Sequence, residues 1–457
     1  MALRKWQAEC IDKALCHYQE NRHFFCQATP GAGKTRFAAE LANHLLSRDL
    51  IDAVICFAPG RSIIEGMKQT FEKVLQRPFN GHIGSIGMAM TYQSIEHCEE
   101  SFWQLFANLR VLAVFDEIHH CSAGSPEMAA NQWGQKIVQR LQDSARYTLA
   151  LSGTPWRSDQ QPIVLARYST PEGRLILDFQ YSLEEAIKEG ICRSPRITIM
   201  DNTCIQLIRQ GQIRNSYQGF LDLLRRSNVS YEGLVTNNDI DAAMLKEANK
   251  KLDHLRHAIP DAAGLVIASS IQHARQIAYI LNDMGESSIV VSTQHSDSHC
   301  AIESFKISQD RWIVAVGMIS EGTDIPRLQV CCYLSRVRTE LYFRQVLGRI
   351  LRRRSTHDDM AWLYIIYEQQ LSKFANRVSE DLPRDLAVVS NLGFDQLAIN
   401  NEESGYFHQE HLPATENSES LHPLNTGCTT EDSILKPLNF VEVSLAGEYR
   451  KLLLSIL

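Results

Sequence analysis

Short, unbroken apolar runs alternate with helix-length stretches through the first 200 residues of the chain. The runs lie at 23–28, 53–58, 88–91, 111–115 and 148–152, and each ends in small or polar residues. A run without polar alternation predicts a strand buried on both faces, and helix-length spacing between such runs is the βαβ rhythm of a parallel sheet. The rhythm restarts near Gly264, with runs at 264–269, 288–292, 312–316, 330–334 and 362–366. Between the two series, Leu245, Ala248, Leu252, Leu255 and Ile259 recur at helical spacing, and an earlier helix is expected over 217–226. The pattern predicts an α/β fold of two tandem parallel-sheet domains, 1–200 and 263–395, joined by a helical connector at 201–262. A C-terminal extension follows at 396–457. Its stretch 400–433, rich in Glu, Asn, Ser, Thr and His, is expected to form loops or disorder, and 441–457 to dock as a terminal helix.

Composition narrows the class. A chain of 457 residues, 44% apolar and 22% charged, can bury two or three ordinary globular cores. The opening Met1-Ala2-Leu3-Arg4-Lys5-Trp6-Gln7 lacks the apolar segment of a secretory leader, and no run approaches membrane-span length. The twelve cysteines are scattered, with no C-x-x-C pair, so a reducing cytoplasmic setting is expected. His119-His120-Cys121 could suggest a metal, but a fourth ligand at plausible spacing is missing. The net charge of −7 argues against a protein that simply coats nucleic acid, though not against one that binds phosphates along a groove. Local charge differs: Arg336, Arg338, Arg344, Arg349, Arg352, Arg353 and Arg354 stand against Glu340 alone between 336 and 354.

The chemistry concentrates in two segments. Ala28-Thr29-Pro30-Gly31-Ala32-Gly33-Lys34-Thr35 follows a predicted strand and opens a predicted helix. In that setting, backbone N–H groups of Gly31, Ala32 and Gly33 can face a phosphate at a helix N-terminus. Lys34 can reach the β/γ-phosphates, and the Thr35 hydroxyl can take a Mg²⁺ position. Ala28 stands where this pattern usually has Gly. Asp116-Glu117-Ile118-His119 follows the run Val111-Leu112-Ala113-Val114-Phe115. A carboxylate there sits at the strand end where open α/β sheets bind ligands. Asp116 is expected on Mg²⁺, and Glu117 on the attacking water. Two acids opening a helix are the ordinary alternative.

With these residues and four further segments, the chain resembles superfamily 2 helicases and translocases of the DExH (DEAD/DEAH box) branch over residues 3–367. Leu3-Arg4-Lys5-Trp6-Gln7 resembles the adenine-reading element, whose Gln7 can bond the adenine edge with both donor and acceptor. Phe57-Ala58-Pro59-Gly60-Arg61 and Met90-Thr91-Tyr92-Gln93-Ser94 resemble backbone-contact elements, implying nucleic-acid roles for Arg61, Tyr92 and Gln93. Leu151-Ser152-Gly153-Thr154-Pro155-Trp156-Arg157 resembles the motif that couples hydrolysis to domain motion, implying such roles for Ser152, Thr154 and His119. The segment 316–326 resembles motif V and implies that Gly322 and Asp324 line the cleft. Phe343-Arg344-Gln345-Val346-Leu347-Gly348-Arg349-Ile350-Leu351-Arg352 resembles motif VI, implying catalytic roles for Gln345, Arg349 and Arg352; it lacks the His-Arg opening of DEAD-box proteins. The Ile118-His119 pair, the Thr-Tyr-Gln-Ser element and Ser-Gly-Thr-Pro-Trp-Arg are most similar to motor subunits of restriction enzymes.

The resemblance implies two RecA-like domains facing across a cleft, ATP and Mg²⁺ as cofactors, and arginines from the second domain near the transferred phosphoryl group. Arg349 and Arg352, three residues apart, are expected on one helix face, with Arg353 and Arg354 only solvating the helix. It implies an ATP-dependent nucleic-acid motor, a DNA helicase or double-stranded DNA translocase, with DNA favoured over RNA. A separately encoded nuclease or specificity subunit would be its partner, since no such motif is attached. The rival readings are an ATP-gated clamp that binds DNA or a partner without unwinding, and a protein-translocating motor. The last lacks the large insertion expected inside the first domain.

Overall fold

The computed structural model describes residues 3–124, 131–157, 159–209, 212–294, 297–317, 325–354, 358–378 and 441–455. In the first unit, β1 (His23–Ala28), β2 (Ala53–Ala58), β3 (Gly87–Thr91), β4 (Val111–Asp116) and β5 (Tyr147–Ser152) match the first series of apolar runs. A two-residue ribbon, β6 (Arg167–Tyr168) with β7 (Leu175–Ile176), precedes β8 (Phe179–Tyr181). The sheet order is β3-β2-β4-β5-β1-β8, with every pair parallel.

Helices α1 (Lys5–His17), α2 (Lys34–Ser47) and α3 (Arg61–Leu75) share one core with Cys26, Val54, Leu112, Val114 and Leu149. Helices α4 (Glu100–Asn108) and α5 (Gln132–Arg140) share the other with Phe25, Ile55, Ala113, Phe115 and Ala150. Neighbouring strand residues thus enter opposite cores, which is why the runs show no polar alternation. Helix α6 (Leu183–Lys188), closed by a Ser182–Glu185 capping box, leads out of this unit.

The second unit starts with β9 (Ser194–Asn202), then the antiparallel strands β10 (Ile205–Arg209) and β11 (Gln212–Tyr217). Helices α7 (Phe220–Arg226), α8 (Tyr231–Val235) and α9 (Asn238–Arg256) follow. The second apolar series forms β12 (Ala263–Ala268), β13 (Ser288–Ser292), β14 (Trp312–Val316), β15 (Leu328–Leu334) and β16 (Met360–Ile366). Among them lie α10 (Ile271–Asp283), α11 (Ser298–Ile307) and α12 (Glu340–Ile350), with α13 (Gln369–Asn376) after β16. The chain then supplies β17 (Val441–Leu445) and β18 (Tyr449–Ser455). The second sheet runs β13-β14-β12-β15-β16-β9-β18, parallel except for β18. Two facing α/β units of this kind are consistent with tandem RecA-like domains.

Three expectations are corrected. The first unit ends before residue 200, since β9 pairs with β16 through Ser194↔Met360 to Met200↔Ile366, and residues 201–262 are not simply a helical connector, since 205–209 and 212–217 pair as antiparallel strands. Helix α9 is present, and its apolar stripe Met244, Leu245, Ala248 and Leu252 packs into the second unit's core. The apolar C-terminus is not a terminal helix. Strand β18 lies antiparallel along β9, Leu454 opposite Ile197, and β17 completes the β10–β11 ribbon. An open strand edge offers unpaired backbone N–H and C=O groups that a helix could not satisfy. The loop expectation over 400–433 lies outside the described residues.

An internal tether joins the units. Arg193, fully buried, uses every guanidinium N–H. Nε and Nη2 each donate to Asp358 at 2.6 Å, Nη1 to the carbonyls of Leu328 and Ile350 at 2.5 and 2.7 Å, and Nη2 also to that of Pro326 at 2.9 Å. The segment leaving the first unit is therefore fastened to the C-terminal end of α12, which faces the cleft.

Candidate functional site

The phosphate loop connects β1 to α2. Gly31 and Gly33 have φ of 81° and 94°, left-handed conformations that glycine adopts without a Cβ clash. Gly33 caps α2, so the helix opens with Lys34 and Thr35. The loop carbonyls are held from behind by the first turn of α1. Arg4 Nη1 donates to the carbonyls of Gly31 and Ala32 at 3.1 and 2.6 Å, and Trp6 Nε1 donates to that of Ala32 at 3.2 Å. Gln7 Nε2 donates to the Gly33 carbonyl at 3.0 Å. With those carbonyls turned outward, the opposite side of the loop is left for phosphate.

Gln7 is part of that bracing. It is buried, and its Oε1 accepts from the Arg4 backbone N–H at 2.9 Å while its Nε2 serves Gly33. Both ends of the amide grip the chain's own backbone, so Gln7 braces the loop, with a second N–H and a second lone pair left over. Arg4 and Trp6 were missed as loop-holding residues, although they adjoin Gln7 in the same segment.

At the end of β4, Asp116 is buried and its Oδ1 has no hydrogen-bond partner. Burial, then the neighbouring Glu117 carboxylate, pushes its pKa up. An orphaned carboxylate oxygen beside the Lys34–Thr35 helix start suits a divalent cation, whose charge would reverse that shift. Glu117 sits at φ 51°, a left-handed turn that swings it toward the loop. Its Oε1 lies 3.3 Å from Lys34 Nζ, and its Oε2 accepts from the Gly153 N–H at 3.2 Å and the Ser152 hydroxyl at 3.4 Å. Burial raises its pKa, but the Lys34 ammonium, followed by His119, outweighs burial and the net shift is downward. Glu117 is thus kept ionised.

The coupling candidates form one buried network. His119 Nδ1 meets Ser152 Oγ at 2.9 Å and lies 3.5 Å from Glu117 Oε2, and the Thr154 N–H donates to Ser152 Oγ at 3.1 Å. Ser152 and His119 are 0% and 2% exposed, so they act only through neighbours.

The second unit brings Gln345, Gly348, Arg349 and Arg352 to the opposite wall of a cleft of about 340 Å³. The facing wall carries Pro30, Gly31, Gly33, Lys34, Thr35, Asp116, Glu117, Gly153 and Thr154. One expectation changes: α12 ends at Ile350, so Arg352 does not share a helix face with Arg349. It lies just beyond, bridged to Cys192, where a Cβ on Gly31 would come within 3.2 Å of Arg352 Cγ. Arg354 is no idle solvating residue either, since its Nη1 and Nη2 reach Asp261 at 2.5 and 3.0 Å. Gly322 and Asp324 lie outside the described residues.

The proposed nucleic-acid contacts divide. Arg61, first residue of α3, and Gln93 are exposed. Tyr92 is fully buried, and its hydroxyl donates to the Asp116 carbonyl at 2.8 Å. It cannot touch a strand from there, and it holds the turn that carries Asp116. Its apolar ring was drawn into the core, where it stacks 6.0 Å from Trp133.

The fold is like that of superfamily 2 helicases and translocases and is related to the motor subunits of restriction enzymes. The family description "Type III restriction enzyme, res subunit" matches residues 1–157. A protein of Mycobacterium leprae is 30% identical over 365 residues, covering 77% of this chain and 60% of that protein. A DNA 3'-5' translocase, XPB2 of Sulfurisphaera tokodaii, is 24% identical, covering 77% of this chain and 79% of its own. The chain spans about three fifths of the length of its mycobacterial relatives. Among solved structures, an HsdR subunit fragment of a type I restriction enzyme from Vibrio vulnificus superposes with TM-score 0.57 at 16% identity, covering 83% of this chain and 67% of that one. The Type ISP restriction-modification enzyme LlaBIII, solved bound to DNA, gives 0.53 at 15%, covering 84% and 30%.

Proposed function

We propose that this chain is an ATP-dependent nucleic-acid motor, a DNA helicase or double-stranded DNA translocase that hydrolyses ATP between its two units. The observation that carries this reading is the cleft itself: Lys34, Asp116 and Glu117 from one unit face Gln345, Arg349 and Arg352 from the other. Lys34, Thr35 and the loop N–H groups would hold the triphosphate, and Thr35 with Asp116 would hold Mg²⁺. The bound Mg²⁺ supplies Lewis-acid stabilisation of phosphoryl charge. Glu117, ionised and fixed by Gly153 and Ser152, is positioned to orient a water molecule and accept its proton at a carboxylate oxygen. Arg349 and Arg352 supply guanidinium charge from the second unit, so hydrolysis is sensitive to how the units sit together. Arg61 and Gln93 are the surface groups offered to a sugar-phosphate backbone, a grip that is independent of sequence. A cutting or sequence-reading subunit would be a separate partner.

The test is the ATP hydrolysis rate with no polymer, single-stranded DNA, duplex DNA and RNA, each at two salt concentrations. Stimulation by DNA that weakens as salt rises is expected, because phosphate contacts release counterions. Equal rates in all conditions refute the motor reading. Triplex and strand displacement then separate translocation and unwinding from a clamp, which would displace neither.

A further inference from the structure

We propose that β18 docks a second copy of this chain, whose own β18 pairs antiparallel with it across the edge of the second sheet. Nothing in the cleft bears on this contact, so it can fail while the motor reading stands. β18 ends the seven-stranded sheet, and β9 is its one strand partner among the described residues. A strand in that position turns alternate backbone N–H and C=O groups outward, ready for another strand.

The cover over this sheet stops one strand short of the edge. In β9, Ile197, Thr198 and Ile199 are all buried. Leu452, opposite Ile199, and Leu453, opposite Thr198, are 57% and 59% exposed. Neighbouring strand residues point to opposite faces, so each face of the sheet carries an uncovered leucine here. Other edges differ: β3 and β13 are half-buried or buried along their length, and β11 exposes mainly polar groups, Gln212, Arg214, Asn215 and Ser216. Edge strands are commonly blunted by a proline, a bulge or an outward charge. β18 has no proline, and its register on β9 runs without a shift. Its two cations are drawn back into their own chain. Arg450 Nη2 lies 3.3 Å from Asp201 Oδ2 at the end of β9, and Lys451 Nζ pairs with Glu247 of α9.

The order of residues along β18 selects the occupant. An antiparallel pair about a two-fold axis through Leu452 sets Leu452 against its own copy, Lys451 against Leu453 and Arg450 against Leu454. No cation then faces a cation, and each aliphatic stem lies along a leucine, so leucines on both faces gain cover. A parallel pair would set the cations of the two copies side by side, which like-charge repulsion disfavours.

The experiment follows the full chain by analytical ultracentrifugation over about 1–300 μM, a span that brackets the micromolar affinity of a small interface. The wild-type mass should rise from one chain to two and stop there, because a two-fold contact is closed. Leu452→Lys and Leu452→Glu each put like charges opposite one another at the axis, and each should weaken association by about tenfold or more. Mixed in equal amounts, the two variants should associate again, within about threefold of wild type, since opposite charges then meet. At position 453 the sign decides: Leu453→Glu meets the second copy's Lys451 and should keep the pair, whereas Leu453→Lys should lose it. Both leucines are more than half exposed, so Tm should shift little in every variant. A wild-type protein that stays one chain at every concentration overturns the proposal, whatever else covers the edge. So does a mass that climbs past two chains, a mixture of the two Leu452 variants that stays apart, or equal behaviour of the two Leu453 variants. If a Leu452 variant unfolds, the wild-type series and the Leu453 pair decide.

Discussion

Gly348→Ala tests most directly whether hydrolysis needs the two units in contact. Gly348 lies inside α12, where alanine is favoured over glycine by about 1 kcal/mol. On local grounds the substitution should stabilise the helix. Across the cleft, however, a Cβ at 348 would come within 2.8 Å of Pro30 Cβ and 3.0 Å of Pro30 Cγ. Pro30 cannot yield easily, because its pyrrolidine ring is rigid. Overpacking of this kind costs about 1–3 kcal/mol, and here it applies only when the units meet. The closed arrangement should therefore lose about 5–150-fold in population while the separate units lose nothing. Three measurements on one protein decide it: thermal unfolding, binding of a fluorescent ATP analogue, and steady-state hydrolysis. The expected pattern is an unchanged or raised Tm, analogue affinity close to wild type through the phosphate loop, and hydrolysis reduced within that range. Wild-type turnover in Gly348→Ala would show that the Pro30–Gly348 approach is not part of the active arrangement. A lowered Tm with lost binding would point to misfolding and would equally refute the argument.

Glu117→Gln should bind ATP and lose most turnover, because the amide keeps the shape but cannot take a proton; near-normal turnover measured by phosphate release would remove Glu117 from its role. Arg349→Ala and Arg352→Ala should each leave analogue binding largely intact and lower hydrolysis by on the order of a thousandfold, unrescued by lysine; Arg353→Ala is the control, and equal loss in all three would signal bulk charge. Tyr92→Phe should cost about 0.5–1.5 kcal/mol of stability by deleting the hydroxyl bond to the Asp116 carbonyl. It should leave the salt slope of DNA binding unchanged, whereas Arg61→Ala should reduce that slope by about one unit; a reduced slope in Tyr92→Phe would put its ring back on the nucleic-acid surface.

Much of the candidate site was legible from residue type and spacing. The loop from Ala28 to Thr35 and the carboxylates after β4 depend on backbone geometry within a few residues, so local sequence carries them. Other side-chain placements depend on distant neighbours. Tyr92 was placed on the surface by analogy of position, but its hydroxyl found the carbonyl of Asp116 and its ring found Trp133. Gln7 also engages the chain's own backbone, through Arg4 N and the Gly33 carbonyl, and so braces the phosphate loop. No pattern along the chain could say which partner would win.

The chain's own hydrophobic rhythm determined its two parallel sheets, because buried strands must be apolar on both faces and helices must separate them. Glycine placement likewise determined the phosphate loop, since φ of 81° and 94° is open to residues without a Cβ. Tertiary structure alone decided the rest. It recruited β9 and β18 to the second sheet, where pairing satisfied an edge that no local preference could foresee. It also brought Pro30 against Gly348 and Trp156 against Arg344, contacts between residues 318 and 188 positions apart. Such contacts are set by the packing of whole units, and sequence spacing holds no record of them.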